Sequence, residues 1–235
     1  MSNPYFAFKQ FVVHHDRCAM KVGTDGVLLG AWAPVEGKCE VLDVGTGTGL
    51  IALMLAQRNH EANIHAIDID EGAIEQARIN AEASPWKERI SVELADYAAL
   101  DENRLYDLIV SNPPYFVNSL KCPDKQRNMA RHTDRLPFDL LIRRTKSLLS
   151  SNGVFAVVIP VDAADEFIQS AQESGLYLQH ETMVIPTVGA SPKRALLSFV
   201  KHPTDTVKDE LLIELSRHVY SDDYISLTKE FYLKM

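Results

Sequence analysis

Cysteine is scarce in this chain, which carries only Cys18, Cys39 and Cys122, odd in number and far apart. That usage suits reduced thiols in a cytoplasmic setting better than a disulfide framework or a zinc site. No apolar run approaches the ~20 residues that span a bilayer, so no membrane partner is expected. The opening residues, Met1-Ser-Asn-Pro-Tyr-Phe6, lack a basic stretch followed by an apolar one, so no secretory signal is expected either. Internal repeats and low-complexity segments are absent. Positive charge is also in short supply, with 24 Lys and Arg against 32 Asp and Glu and a formal net charge of −8.

That sum alone argues against a nucleic-acid partner, but binding depends on where the basic groups cluster. Residues 117–146 hold Lys121, Lys125, Arg127, Arg131, Arg135, Arg143, Arg144 and Lys146 against Asp124, Asp134 and Asp139. A bland reading is a solvated loop and helix face. Its position beside the motif described below favours a functional one.

What is present is an ordinary globular composition, 46% hydrophobic and 24% charged over 235 residues, enough for one substantial α/β domain. Short apolar runs alternate with helical patterns, as in a parallel sheet flanked by helices. The predicted strands are Glu40–Val44, Asn63–Asp68, Ile90–Ala95, Tyr106–Ser111 and Val154–Ile159. A closing pair covers Leu176–Ile185, broken at Pro186, and Ala195–Val200. Helices are predicted over Val27–Trp32, Leu50–Arg58, Glu71–Ala83, Phe138–Leu149 and Asp162–Ser174, the last capped by Gly175, with a late helix over residues 207–219. Residues 1–37 read as an N-terminal extension, and 38–235 as the main domain of a single globular unit.

Asp43-Val-Gly45-Thr-Gly47-Thr-Gly49 closes the first of these strands. Its glycines let the chain turn tightly and leave no Cβ between backbone and ligand. The spacing G-x-G-x-G departs from the G-x-G-x-x-G of dinucleotide sites, although a nicotinamide site or a merely structural turn remains open on spacing alone. Asp43 suits a cofactor with a cationic amino-acid end. Asp68 ends the second strand about 20 residues on, where a carboxylate can accept both ribose hydroxyls. Asp70 is better read as the N-cap of the next helix. Asp96 is placed to accept from an adenine amino group.

Asn112-Pro113-Pro114-Tyr115 follows the fourth strand, at the carboxyl edge where open α/β sheets bind ligands. Two prolines fix a stiff extended turn. The Asn112 carbonyl and the Pro113 backbone carbonyl can accept both hydrogens of a planar –NH2 group, and Tyr115 offers a face for its ring. Such a nitrogen needs positioning more than a strong base, so His14, His15 and His132 are assigned no proton-transfer role. No metal ligand set stands out.

With both elements in place, the chain resembles class I S-adenosylmethionine-dependent methyltransferases carrying N-P-P-[YFW]. Within them it is most similar to the bacterial tRNA(Val) adenine-N6 methyltransferases. The likeness runs through Phe6-Ala-Phe-Lys-Gln-Phe11, His14–Trp32, the glycine loop, Asn112–Tyr115 and Ala130-Arg-His-Thr133. It implies a Rossmann-like fold with a seven-stranded, mostly parallel sheet, helices on both faces and an antiparallel last strand. It implies S-adenosylmethionine as cofactor and, as substrate, adenine 37 beside the anticodon of tRNA. By the same resemblance the N-terminal segment folds over the cofactor, bringing Lys21, Thr24, Asp25 and Leu28 to its pocket. The anticodon stem-loop would lie over Lys121, Lys125 and Arg127, with Arg131 and His132 on the substrate side. A monomer is expected. Rival readings are a glutamine-amide methyltransferase acting on a release factor, an rRNA guanine-N2 or DNA adenine methyltransferase, and a binding module with a dead site. The first is disfavoured because such enzymes carry a longer helical N-terminal domain; intact Asp43, Asp68 and Asn112 argue against the last.

Overall fold

The computed structural model describes residues 3–17, 21–114 and 136–234. Tyr115, Lys121, Lys125, Arg127, Arg131 and His132 lie outside the described residues. A short antiparallel hairpin, β1 (Tyr5–Ala7) and β2 (Val12–His14), opens the chain. It is followed by helix α1 (Thr24–Trp32). Five alternating units come next: β3 (Glu40–Val44), α2 (Leu50–Arg58), β4 (Asn63–Asp68), α3 (Glu71–Glu82) and β5 (Ile90–Leu94). Then come β6 (Tyr106–Ser111), α4 (Phe138–Leu148), β7 (Leu149–Pro160) and α5 (Ala164–Glu173). The chain closes with β8 (Tyr177–Thr187), β9 (Arg194–Val200), β10 (Val207–Ser216), β11 (Val219–Tyr220) and α6 (Asp222–Thr228).

The main sheet runs β11-β10-β8-β9-β7-β6-β3-β4-β5. Strands β3 to β8 and β10 point one way, while β9 and β11 run against them. The expected seven strands are therefore present, and two more extend the sheet past β8. Alternation along each strand sends Val41, Val110 and Ala156 to one face, against α1 and α2. Leu42, Ile109 and Phe155 go to the other face, against α4 and α5.

Three sequence expectations fail. Strand β7 begins at Leu149, five residues before the expected Val154. Residues 207–216 form a strand, although Lys208, Glu210, Leu211 and Leu212 are common in helices. Pairing with β8 decides the outcome, since Leu211 is buried and Ile213 packs beside it while their neighbours face away. That alternation was the available signal. Pro186 does not end β8, which continues to Thr187. The proline lies past the last β8–β9 pair, Val184 with Arg194, where the sheet asks for no donor on that side.

Candidate active site at the carboxyl edge of the sheet

The chain runs from β3 outward to β4 and β5, then returns to place β6 and β7 on the other side of β3. The order of strands thus reverses between β3 and β6, the point at which open sheets of this kind leave a ligand-binding crevice. Val44 of β3 is in register with Ser111 of β6 and with Ile67 of β4, so Gly45, Asn112 and Asp68 leave the sheet side by side. Asp68 is in turn paired with Leu94, which places Asp96 just beyond β5 on the same edge.

The glycine loop is held by its own amides. Gly45 and Thr46 N–H both donate to the Ile67 carbonyl at 2.9 Å, and Gly47 N–H donates to Asp68 Oδ2 at 2.9 Å. Gly45, Gly47 and Gly49 have φ of +71°, +56° and +80°, which side chains with a Cβ adopt only at a cost. Added Cβ atoms at Gly45 and Gly47 would meet nothing within 4 Å, so the loop presents bare backbone to an open space.

Asp43 lies beneath this loop and is fully buried. Its Oδ2 accepts from Thr46 Oγ1 at 2.6 Å and from Ala52 N–H at 3.2 Å. Its Oδ1 is buried with no hydrogen-bond partner among the described residues. Burial pushes the carboxyl up to about 7, opposed by the Thr46 and Ala52 donors and assisted by the Asp68 charge. A buried carboxylate oxygen lacking a donor suits a cationic group bound over the loop. Asp68 is half-buried; its Oδ1 accepts from Asp70 N–H at 3.0 Å, and each oxygen keeps a lone pair for a further donor. Asp70 caps α3 as expected, accepting from Ala73 N–H at 2.7 Å. Asp96 is exposed and caps a short turn by accepting from Ala98 N–H at 2.9 Å, while Tyr97 turns inward to share a hydrogen bond with Thr145. These residues fit a ligand with an ammonium and a vicinal diol.

On the opposite lip, Asn112 is half-buried, Pro113 buried and Pro114 exposed. The Ser111 hydroxyl, buried at the end of β6, donates to the Val44 carbonyl at 2.9 Å and ties the two lips together.

The N-terminal residues reach the same edge by two routes. Helix α1 packs parallel to α2 through Gly26 and Gly30. A Cβ at Gly26 would lie 3.1 Å from Leu50 Cδ2, and one at Gly30 would lie 2.8 Å from Met54 Sδ. Parallel packing brings Thr24, the first residue of α1, to the end where α2 leaves the glycine loop. Lys21 is exposed just ahead of it, and Asp25 pairs with Arg194 at 2.8 Å. Leu28 faces the core instead, at 1% exposure. The second route is α3: Asn80 donates to the carbonyls of His14 and Thr48 and accepts from His14 N–H, while Gln76 accepts from Arg17 N–H.

Ser111, Asn80, Gln76 and Arg194 were not singled out from the sequence. For Asn80 and Gln76 a signal existed, because both are polar residues on the buried stripe of α3 beside Ala73, Ala77 and Ala81. Ser111 offered none, since a serine before a turn is commonplace.

The family model for "Methyltransferase small domain" matches residues 22–170. The chain is 59% identical to the tRNA1(Val) (adenine(37)-N6)-methyltransferase of Phocaeicola vulgatus, covering 100% of both proteins. It is 45% identical to the tRNA1(Val) (adenine(37)-N6)-methyltransferase of Enterobacter sp., over 98% of this chain and 95% of that one. In fold it is similar to a predicted O-methyltransferase from Agrobacterium tumefaciens, with TM-score 0.69 at 18% identity over 88% of this chain and 96% of that one. It is also similar to a ribosomal protein L11 methylase from Lactobacillus delbrueckii subsp. bulgaricus, with TM-score 0.53 at 20% identity over 75% of this chain and 77% of that one.

Proposed function

Because the chain belongs to the tRNA1(Val) (adenine(37)-N6)-methyltransferase family, we propose that it methylates N6 of adenine 37 in tRNA(Val), using S-adenosylmethionine. The observation that carries the mechanism is the register of Ser111 with Val44, which sets Asn112 directly across the crevice from the glycine loop. When bound, S-adenosylmethionine supplies a methyl group already activated by its sulfonium. Asp43, Gly45, Gly47 and Gly49 hold its methionine end, Asp68 its ribose hydroxyls and Asp96 its adenine amino group. Lys21 and Thr24 close over it as residues 1–37 pack against the domain formed by 38–235.

On the substrate side, the carbonyls of Asn112 and Pro113 accept the two N6 hydrogens and Tyr115 stacks on the ring. An adenine nitrogen is a poor nucleophile because its lone pair is delocalised. Two acceptors pull it toward tetrahedral geometry and aim the lone pair into the crevice, so catalysis rests on positioning and oriented dipoles. The target base must leave its stack to bring its amino group to Asn112 and Pro113. Lys121, Lys125 and Arg127 bind the anticodon stem-loop, with Arg131 and His132 nearer the base. The protein acts as a monomer in the cytoplasm.

The test is transfer of labelled methyl to total tRNA, followed by nucleoside analysis. N6-methyladenosine in the tRNA(Val) fraction is the expected product. Label in protein glutamine or in guanine would overturn the substrate while sparing the reaction class.

A further inference from the structure

The hairpin β10–β11 extends the sheet beyond the strands expected from the sequence, and its tip points to the active-site edge. Strand β10 runs parallel to β8 and hence to β6, so Ser216 and Asn112 leave the same side of the sheet. Ser216 pairs with Val219, leaving Arg217 and His218 as the two tip residues, both exposed. Between that tip and Asn112 lies the β8–β9 connection, where exposed Lys193 precedes Arg194 on the same edge. Counting strands, β9 is two positions from β6 and β10 is four. At ~4.8 Å per strand these groups stand roughly 10 and 19 Å along the edge from Asn112.

Charge divides along this edge. The cofactor half, past β4 and β5, presents Asp68, Asp70, Glu71 and Asp96. The half past β9 and β10 presents Lys193, Arg194, Arg217 and His218, countered by Asp25 at Arg194, by Asp162 after β7 and by Glu214 two residues before Ser216 on β10. A phosphate backbone crossing the crevice is repelled from the first half and admitted to the second. The tip also carries a local cost: His218 has φ +63°, the one positive value at a non-glycine residue among those described. Glycine would hold that turn with less strain, and here the strained position holds an exposed imidazole at the tip of the hairpin.

We propose that Lys193, Arg217 and His218 form a second RNA contact, binding phosphates of the anticodon arm that flank the base held at Asn112. This surface rests on the reading of the protein as a tRNA methyltransferase. It gives the enzyme an RNA grip that is separate in sequence from the basic segment of residues 121–135. Phosphate contacts of this kind position the substrate and carry no sequence information.

The test compares three proteins: the unaltered chain, Lys193→Ala/Arg217→Ala, and Lys87→Ala as a single-charge control on the opposite edge. Each is assayed for tRNA methylation and for tRNA affinity across a salt series. The double variant is expected to raise KM for tRNA about 5- to 10-fold. It should also flatten the dependence of log affinity on log salt by about one to two, as loss of two phosphate contacts requires. Cofactor affinity and melting temperature should stay unchanged, and Lys87→Ala should match the unaltered chain. His218→Gly should bind tRNA more weakly while melting at a higher temperature. Equal KM and equal salt slope in the double variant, with the unaltered chain active on tRNA, would overturn this surface alone. If the unaltered chain methylates no tRNA, the functional reading itself falls.

Discussion

The hydroxyl of Ser111 donates to the carbonyl of Val44 at 2.9 Å, joining adjacent parallel strands where they part to form the crevice. Asn112 and Gly45 are the next residues on each strand, so this bond sets the distance between the two lips. Ser111→Ala should cost about 1 kcal/mol of stability. More tellingly, it should lower kcat about 10-fold while cofactor affinity stays put. Steady-state kinetics alongside calorimetry would separate the two. An unchanged kcat would mean the lips are held by the sheet alone.

The buried Asp43 carboxyl makes a pH prediction. Its folded-state value, about 7, lies above the unfolded value of 3.8, so the folded protein binds the extra proton between them. Stability without cofactor should therefore fall as pH rises from about 4 to 7 through this group. A bound ammonium favours the ionised form, so cofactor affinity should rise over pH 6 to 8. The cofactor-induced shift in melting temperature should grow over the same range and lose that growth in Asp43→Asn. A shift independent of pH in the unaltered protein would separate Asp43 from the cofactor.

Asp68 serves the loop as well as the ligand, since it accepts from Gly47 N–H. Asp68→Ala removes that acceptor and the partner proposed for the ribose hydroxyls. A loss of about 1.5–3 kcal/mol, or about 10- to 160-fold in cofactor dissociation constant, is expected for hydrogen bonds to a charged group. Turnover at saturating cofactor should survive in large part. Calorimetry that finds full affinity in this variant would contradict the assignment.

The contact between α1 and α2 predicts an order of stabilities. An alanine at Gly30 would put its Cβ 2.8 Å from Met54 Sδ and 2.9 Å from Met54 Cβ, so the helices must separate. At Gly26 the obstacle is the movable end of Leu50, at 3.1 Å. Overpacking of the first kind costs about 1–3 kcal/mol. Thermal unfolding should place Gly30→Ala clearly below Gly26→Ala. Equal melting temperatures would show that the helices are free to adjust.

The central strands were legible because each is a short apolar run ended by glycine, aspartate or proline, and Glu40–Val44, Asn63–Asp68 and Tyr106–Ser111 emerge with the boundaries read from sequence. The glycine loop and Asn112 were legible because their chemistry constrains residue type. Strand β10 was not, since its residues favour a helix and only the neighbouring β8 makes them a strand. Asn80, Gln76 and Ser111 act through partners 66, 59 and 67 residues away, which no local pattern reveals.

The most direct measurement is methyl transfer by Asn112→Ala, paired with cofactor binding by calorimetry. Turnover should fall by at least about 10²–10³-fold, the loss typical when an oriented polar group at a reacting centre is removed, with cofactor affinity within about twofold of the unaltered protein. Transfer that persists, or affinity that falls as far as turnover, would contradict the assignment of this corner to the amino group.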